Sequence, residues 1–214
     1  MSKIAPMHSE VLIVATPGRL PRLECRGGIA ARRTGPDTVH LVSAAATPLG
    51  GDTVTVRVVV EPGARLRVRS VAATIVLPGA ATTESSSVWR VEAAGAVDID
   101  PQPTVVAGAA RHHSSTEARL TGAGRLRMRE RVQIGRSGEQ HGFWSGAWYA
   151  DVDSAPLLRH RVELGAGSVT SDALGTPLAS VSELRYPEQA VDTDGTVLEL
   201  AAGGCLATWQ GERL

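Results

Sequence analysis

Apolar and polar residues alternate along this chain with a period of two. Val54, Val56, Val58 and Val60 fall on one face, and Thr53, Thr55, Arg57 and Val59 on the other. After Pro62-Gly63-Ala64 the alternation resumes, with Leu66 and Val68 set against Arg65, Arg67 and Arg69. Successive side chains of a strand point to opposite faces, so this period predicts half-buried strands. Proline presets φ and glycine admits a positive φ, which lets the intervening triplet reverse the chain. The expected unit is a hairpin with one apolar face and one arginine face.

The same unit recurs. Val88 to Glu92 runs through Gly95 into Val97 to Asp100. Ala118 and Leu120 run through Gly122-Ala123-Gly124 into Arg125 to Ile134. Arg161 to Leu164 runs through Gly165-Ala166-Gly167 into Ser168 to Thr170, and Val197 to Leu200 through Gly203-Gly204 into Leu206 to Trp209. Repeated units that each bury one face imply stacked layers. The expected fold is mainly β: stacked antiparallel and mixed sheets in an elongated sandwich or solenoid-like body, with one or two short helices. The best helix candidate lies between Ala179 and Ala190, interrupted by Pro187. Pro101 and Pro103 predict an extended segment at a sheet edge or crossing. Ser85-Ser86-Ser87 and Asp192 to Gly195 read as loops. No linker divides residues 1–214, so a single domain is expected.

Composition narrows the function. The formal net charge is zero, which lacks the basic excess that nucleic-acid binding needs. No apolar run is long enough to span a membrane. The segment Val11 to Ala15 is too short for a signal-peptide core, and a cytoplasmic protein is expected. Cys25 and Cys205 could pair only with each other, and a reduced compartment suits them at least as well. Lys3 is the one lysine, so arginine supplies nearly all the cationic charge. Its rigid planar donors suit carboxylate recognition on a partner protein. There is no Gly-x-Ser-x-Gly elbow, no phosphate-binding glycine loop and no HExxH helix. Catalysis is therefore not expected.

Three segments taken together resemble the UreD/UreH family of urease accessory proteins. The first is Pro48-Leu49-Gly50-Gly51-Asp52 with the strand and Pro62-Gly63-Ala64 that follow. The second runs from Val97-Asp98-Ile99-Asp100 through Pro101-Gln102-Pro103-Thr104-Val105 to Gly108-Ala109-Ala110-Arg111. The third is Arg125 to Arg136, ending near Phe143. The similarity spans roughly residues 10 to 210. It departs from the family pattern at Ile99, where an aromatic is common, and at His141, where an acidic residue is favoured. The resemblance implies a mainly β, non-enzymatic scaffold that binds the accessory proteins UreF and, through it, the GTPase UreG. It also implies docking onto the urease apoprotein, and nickel handled transiently with no tightly bound cofactor.

Glu130 is the sharpest single residue. Among Leu126, Met128, Glu130, Val132 and Ile134 it falls on the apolar phase. A buried carboxylate is costly unless it finds a partner or a watered passage. Either an arginine across the sheet or a polar lining for a nickel path would satisfy it. Asp52, Asp98, Glu139 and His141 are candidate companions on that path, since carboxylates and imidazoles are suitable transient nickel ligands. Asp52 equally suits a turn cap, and Asp98 equally suits solvent. His112-His113 would chelate together only in a loop. The arginine faces suit either plain solvation or docking of an acidic partner. A different class of function, a β-rich carbohydrate- or ligand-binding module, would use Trp144, Trp148 and Tyr149 as a stacking platform.

Overall fold

The computed structural model describes residues 5–169, 176–189 and 191–214. Among these residues there are strands and turns but no helix. In chain order the first strands are β1 (His8–Ala15), β2 (Arg22–Arg26), β3 (Ile29–Arg33), β4 (Thr38–Ser43), β5 (Thr53–Val60) and β6 (Arg65–Ser70). Next come β7 (Thr74–Val76), β8 (Glu84–Ala93), β9 (Ala96–Ile99), β10 (Thr104–Val106), β11 (Arg111–Leu120) and β12 (Arg125–Ile134). The last are β13 (Phe143–Val152), β14 (Ala155–Gly165), β15 (Ala179–Tyr186), β16 (Thr196–Glu199) and β17 (Cys205–Gly211).

Two sheets face each other. The first is seven-stranded, in the order β14-β13-β11-β8-β5-β1-β2. The second has ten strands, with β16-β17-β15-β12-β9-β6-β4-β3 in line and β10 and β7 attached beside β12. The units that turn at Pro62-Gly63-Ala64, Gly95 and Gly122-Ala123-Gly124 are arches, not hairpins; the Val197–Trp209 unit is a hairpin as expected, and Ser168 and Val169, beyond the Gly165 turn, form no strand. β5 lies between β1 and β8, parallel to both, while β6 lies between β4 and β9, again parallel to both. β8 with β9, and β11 with β12, divide between the two sheets in the same way. Hairpin and arch share one side-chain period and one kind of turn. They differ in whether the two strands meet through backbone hydrogen bonds or through side chains across a core, and the period does not record that choice. Hairpins do close the ends, where β13 pairs antiparallel with β14 and β16 with β17. Thr170 and Ala190, at the ends of two expected elements, lie outside the described residues.

Two further expectations are corrected. The proposed helix from Ala179 is strand β15, paired antiparallel with both β12 and β17. Ser85-Ser86-Ser87 is no loop but part of β8, in register with His112, His113 and Ser114 of β11. Asp192 to Gly195 is a loop, as expected.

Parallel stacking in register makes each inward residue cover the next. One rung of the first sheet reads Val58, Val91, Ala118, Ala150 and Leu158. Leu66, Val68, Val97, Ile99, Leu126 and Met128 of the second sheet meet this face, all buried. With few aromatics to spend, the core is aliphatic. The arch turns stack as well. Ala96 N donates to Ala64 O at 3.0 Å, and Arg125 N donates to Gly95 O at 2.9 Å. A Cβ on Gly95 would sit 2.4 Å from Ala64 O and 2.5 Å from Glu61 O, so only glycine lets the turns approach this closely. Gly95→Ala is therefore expected to cost about 1–3 kcal/mol of overpacking strain. Urea denaturation would measure it, and an unchanged midpoint would mean that the turns are not held together this tightly.

Candidate functional site

The apolar filling stops partway along the strands. Next to the all-aliphatic rungs, the first sheet's inward face carries Val56, Trp89, Thr116, Trp148 and His160 in one rung. The following rungs place Ser87 beside Ser114, then Ser85 beside His112 and Trp144. Beyond this polar band a second, smaller apolar cluster begins, containing Val76, Val106, Val132, Ile134, Trp144 and Leu164. Between the sheets at this level is a cavity of about 250 Å³, whose lining includes Ser87, His112, Ser114, Glu130 and Trp144.

The cavity has a mouth because the second sheet is interrupted there. β9 runs beside β12 only as far as Ile99 opposite Met128, and β10 takes up the pairing only at Thr104 opposite Val132. Pro101-Gln102-Pro103 fills the interval, and a proline has no N–H to give to a ladder. The neighbouring layer breaks at the same level, between Ser70 at the end of β6 and Thr74 at the start of β7. Pro101, Gln102, Ser70 to Thr74, Arg129 and Arg131 line this opening. The family-like Pro-Gln-Pro segment is thus the piece of chain that leaves a window beside Glu130.

Glu130 reaches inward across the sandwich. Ser114 Oγ donates to its Oε1 at 2.8 Å, and Trp148 Nε1 donates to its Oε2 at 3.0 Å. No arginine pairs with it among the described residues. Burial pushes its carboxyl above the usual range, and the Ser114 and Trp148 hydrogen bonds offset part of that rise. Gly146 makes the approach feasible. A Cβ there would meet the Trp144 ring at 2.2 Å and Glu130 Oε2 at 3.2 Å. His112 is fully enclosed, with Nδ1 2.9 Å from Ser85 Oγ and Nε2 3.0 Å from Ser87 Oγ. Hydroxyls both donate and accept, so a neutral ring is satisfied in either tautomer. Burial, helped by repulsion from His113, lowers its pKa to about 4.

The other candidate residues lie elsewhere. Asp52 is buried and accepts from Met7 N at 2.8 Å, Leu49 N at 2.8 Å and Thr47 Oγ1 at 3.0 Å, which makes it a turn cap. It stands just behind the cavity wall, which Thr47 and Pro48 help to form. Asp98 occupies the opposite face of the second sheet from Glu130, paired with Arg69 at 2.7 Å and Arg127 at 3.1 Å. Glu139 is tied to the Arg136 guanidinium and to Gly108 N, and these bonds hold its carboxyl well below the usual range. His141 is exposed. His112 and His113 sit on a strand and face opposite ways, His113 toward Glu84 on the outside. Among the described residues, no group of three or more His, Cys, Asp or Glu side chains is placed to hold a metal ion. Trp144 and Trp148 are each 2% exposed, while Tyr149 faces outward at 49%, so the three do not form one stacking platform. Cys25 and Cys205 are both free thiols.

Fold and cavity together define a class: an arched double-sheet β scaffold with an off-centre polar chamber. A sequence model of the family described as UreD urease accessory protein matches residues 18–182. Urease accessory protein UreD 1 of Saccharopolyspora erythraea is 38% identical over 192 residues, covering 86% of this chain and 75% of that protein. Urease accessory protein UreD of Frankia alni is 39% identical over 191 residues, covering 86% of this chain and 61% of its own. A Parafrankia protein of the same name is 41% identical over 144 residues, covering 64% of this chain and 48% of its own. The chain belongs to the UreD urease accessory protein family. Against the last two relatives it spans less than two thirds of their length.

His112 and Glu130 make opposite predictions. His112 is depressed on folding, so its contribution is present above the unfolded pKa near 6.5 and is lost as pH falls toward 4. That loss should be on the order of 3 kcal/mol, and His112→Gln should remove it. Glu130 is raised on folding, so its contribution is present below about 4.5 and is lost as pH rises through the folded value. Glu130→Gln, which keeps an acceptor for Trp148, should flatten the alkaline side. Denaturation curves across pH would check both slopes, and parallel curves for variants and parent would contradict them.

Proposed function

We propose that this protein is a urease maturation factor, a scaffold without catalysis of its own. It engages the urease apoprotein and the accessory proteins UreF and, through UreF, UreG, and it assists nickel insertion into urease. Membership of the UreD family, whose relatives are named urease accessory proteins, supports the maturation role. The single observation that favours passage of nickel through this chain is Glu130. It is a carboxylate in an inter-sheet chamber, hydrogen-bonded by Ser114 and Trp148 but paired with no cation among the described residues, beside a window in the sheet. A carboxylate so placed is a hard oxygen donor, and a lone donor binds weakly enough to release its cargo.

In this proposal nickel is cargo, and Glu130 is a transient ligand. His112 has its ring nitrogens occupied by serines and serves as wall. Asp52, Glu139 and His141 would act only before or after the chamber, and Asp98 only from the outer face. No helix among the described residues is long and apolar enough to cross a membrane. The proposed site of action is the cytoplasm.

The test is complementation. A host lacking this gene should make urease subunits that are poor in nickel and inactive. Restoring Glu130→Gln should give a folded protein that still co-purifies with UreF but activates urease severalfold less than the parent. Full activation by Glu130→Gln would remove the chamber from the mechanism. Full urease activity in the deletion host would remove the maturation role altogether.

A further inference from the structure

The outer face of the ten-stranded sheet is organised quite differently from its inner face. The residues flanking Glu130 and its inward neighbours on β12 are Arg125, Arg127, Arg129 and Arg131, and they point outward. Arg65, Arg67 and Arg69 of β6 and Arg185 of β15 share that face, in register with β9 and β12. Arg127 and Arg185 stand directly opposite each other across β12 and β15, a pairing that repels unless carboxylates intervene. Three do. Asp98 bridges Arg69 and Arg127, and Asp100 bridges Arg127 and Arg131 at 3.2 and 2.9 Å. Glu183 bridges Arg127 at 2.9 Å and Arg185 at 2.6 Å.

Most of the acid in this layer lies deep. The Glu183 side chain is 6% exposed and that of Asp100 17%, while Asp98 at 31% is as open as Arg69, Arg127, Arg129, Arg131 and Arg185 at 23–35%. Two of the three carboxylates therefore lie beneath the guanidiniums. Cations are also in excess: five arginines share three carboxylates, Arg125 is paired with Glu188, and Arg65 and Arg67 come in addition. Arg129 is the least committed. Its nearest carboxylate oxygen, on Glu183, is 3.4 Å from Nε and out of line, so that this Nε–H has no acceptor among the described residues. The chain as a whole is neutral, so a positive face here means negative excess elsewhere and a directional charge distribution.

We propose that this arginine-plated sheet face is a docking surface for an acidic protein partner, with Arg129 and Arg67 offering guanidinium forks to its carboxylates. Charge complementarity selects the occupant. Guanidinium matches carboxylate geometry with two parallel hydrogen bonds, and among the described residues neither Arg67 nor Arg129 has a short, aligned carboxylate partner that would compete for its fork. Nucleic acid is the competing occupant. It is disfavoured because Asp98, Asp100 and Glu183 stand among the arginines, where they repel the continuous line of phosphates that a nucleic-acid backbone would bring. The inference is independent of any passage through the chamber.

The probes are a fluorescein-labelled oligoglutamate peptide, its oligoglutamine counterpart and a single-stranded oligothymidine, followed by fluorescence anisotropy with the full chain. Oligoglutamate should bind, should weaken steadily as salt rises, and should outcompete the other two. Arg67→Gln and Arg129→Gln remove no ion pair that is both short and aligned, and each should weaken oligoglutamate binding by about threefold to fivefold. Arg161→Gln, on the seven-stranded sheet, should leave it unchanged. Equal binding of the glutamine peptide, tighter binding of oligothymidine, or insensitivity to both face variants would each overturn the proposal. The comparison of peptides and salts on the unaltered chain decides the matter even if a variant folds poorly.

Discussion

Everything in this molecule depends on parallel, in-register stacking of arches. Once β5, β8, β11 and β13 run side by side in one direction, residues at equivalent positions become neighbours across the sheet. A valine is then covered by the next valine, and a serine by the next histidine or serine. One-dimensional stacking of this kind turns each position of the strand into a continuous rung with a single chemical character. The aliphatic rungs make the main core. The polar rungs make the chamber, and the segments Thr47-Pro48, Ser70 to Thr74 and Pro101-Gln102 complete its wall and mouth.

The same stacking explains how the protein handles charge. Alternation along β12 sends arginines to one side and apolar residues to the other, and Glu130 is the exception on the inner side. Outside, Arg69, Arg127, Arg131 and Arg185 share carboxylates with neighbours one strand away, so the layer is partly neutralised and half-hydrated, with cations left in excess. Burial pushes the Glu183 carboxyl up, yet hydrogen bonds from Arg127 and Arg185 outweigh this and hold it below the usual range. Inside, Glu130 receives two hydrogen bonds and no counter-charge, and the balance tips the other way. Two carboxylates on adjacent strands thus end with opposite shifts, because one has cations to share and the other has only dipoles.

Much of this was legible in the sequence, and what was not has specific causes. The period of two gave the strands, the buried faces and the anomaly at Glu130. It could not tell arches from hairpins, because side-chain period is silent about backbone partners. β15 was misread as helical because both of its faces are covered. Ser180 and Ser182 lie on its inner phase, both buried, and Val181 on its outer phase, so the sequence lacks the apolar-in, polar-out alternation that marks a strand. The three serines of β8 resemble a turn, and only their register with His112 and Ser114 shows that Ser85 and Ser87 face inward. The phase that marks Glu130 marks them too, along with Ser114 and Thr116, once β8 and β11 are taken as strands. The placement of Asp98 followed from its phase, but its arginine partners come from strands that are distant in sequence.

The division of the interior into an aliphatic part and a polar part has a consequence for how the fold can carry its site. A hydrogen-bonded but uncompensated carboxylate, an enclosed imidazole and a chamber of this size all oppose stability, and apolar residues at these rungs would pack better. They are tolerated because the aliphatic rungs nearer the arch turns supply a separate, uninterrupted core containing Val58, Leu66, Ile99, Leu120 and Leu126, each at most 1% exposed. The polar rungs lie toward the opposite strand ends, where Pro101 and Pro103 interrupt the ladder beside β12. The main core and the polar chamber are therefore carried by different lengths of the same strands. The residues that weaken the fold are gathered where the sheet opens.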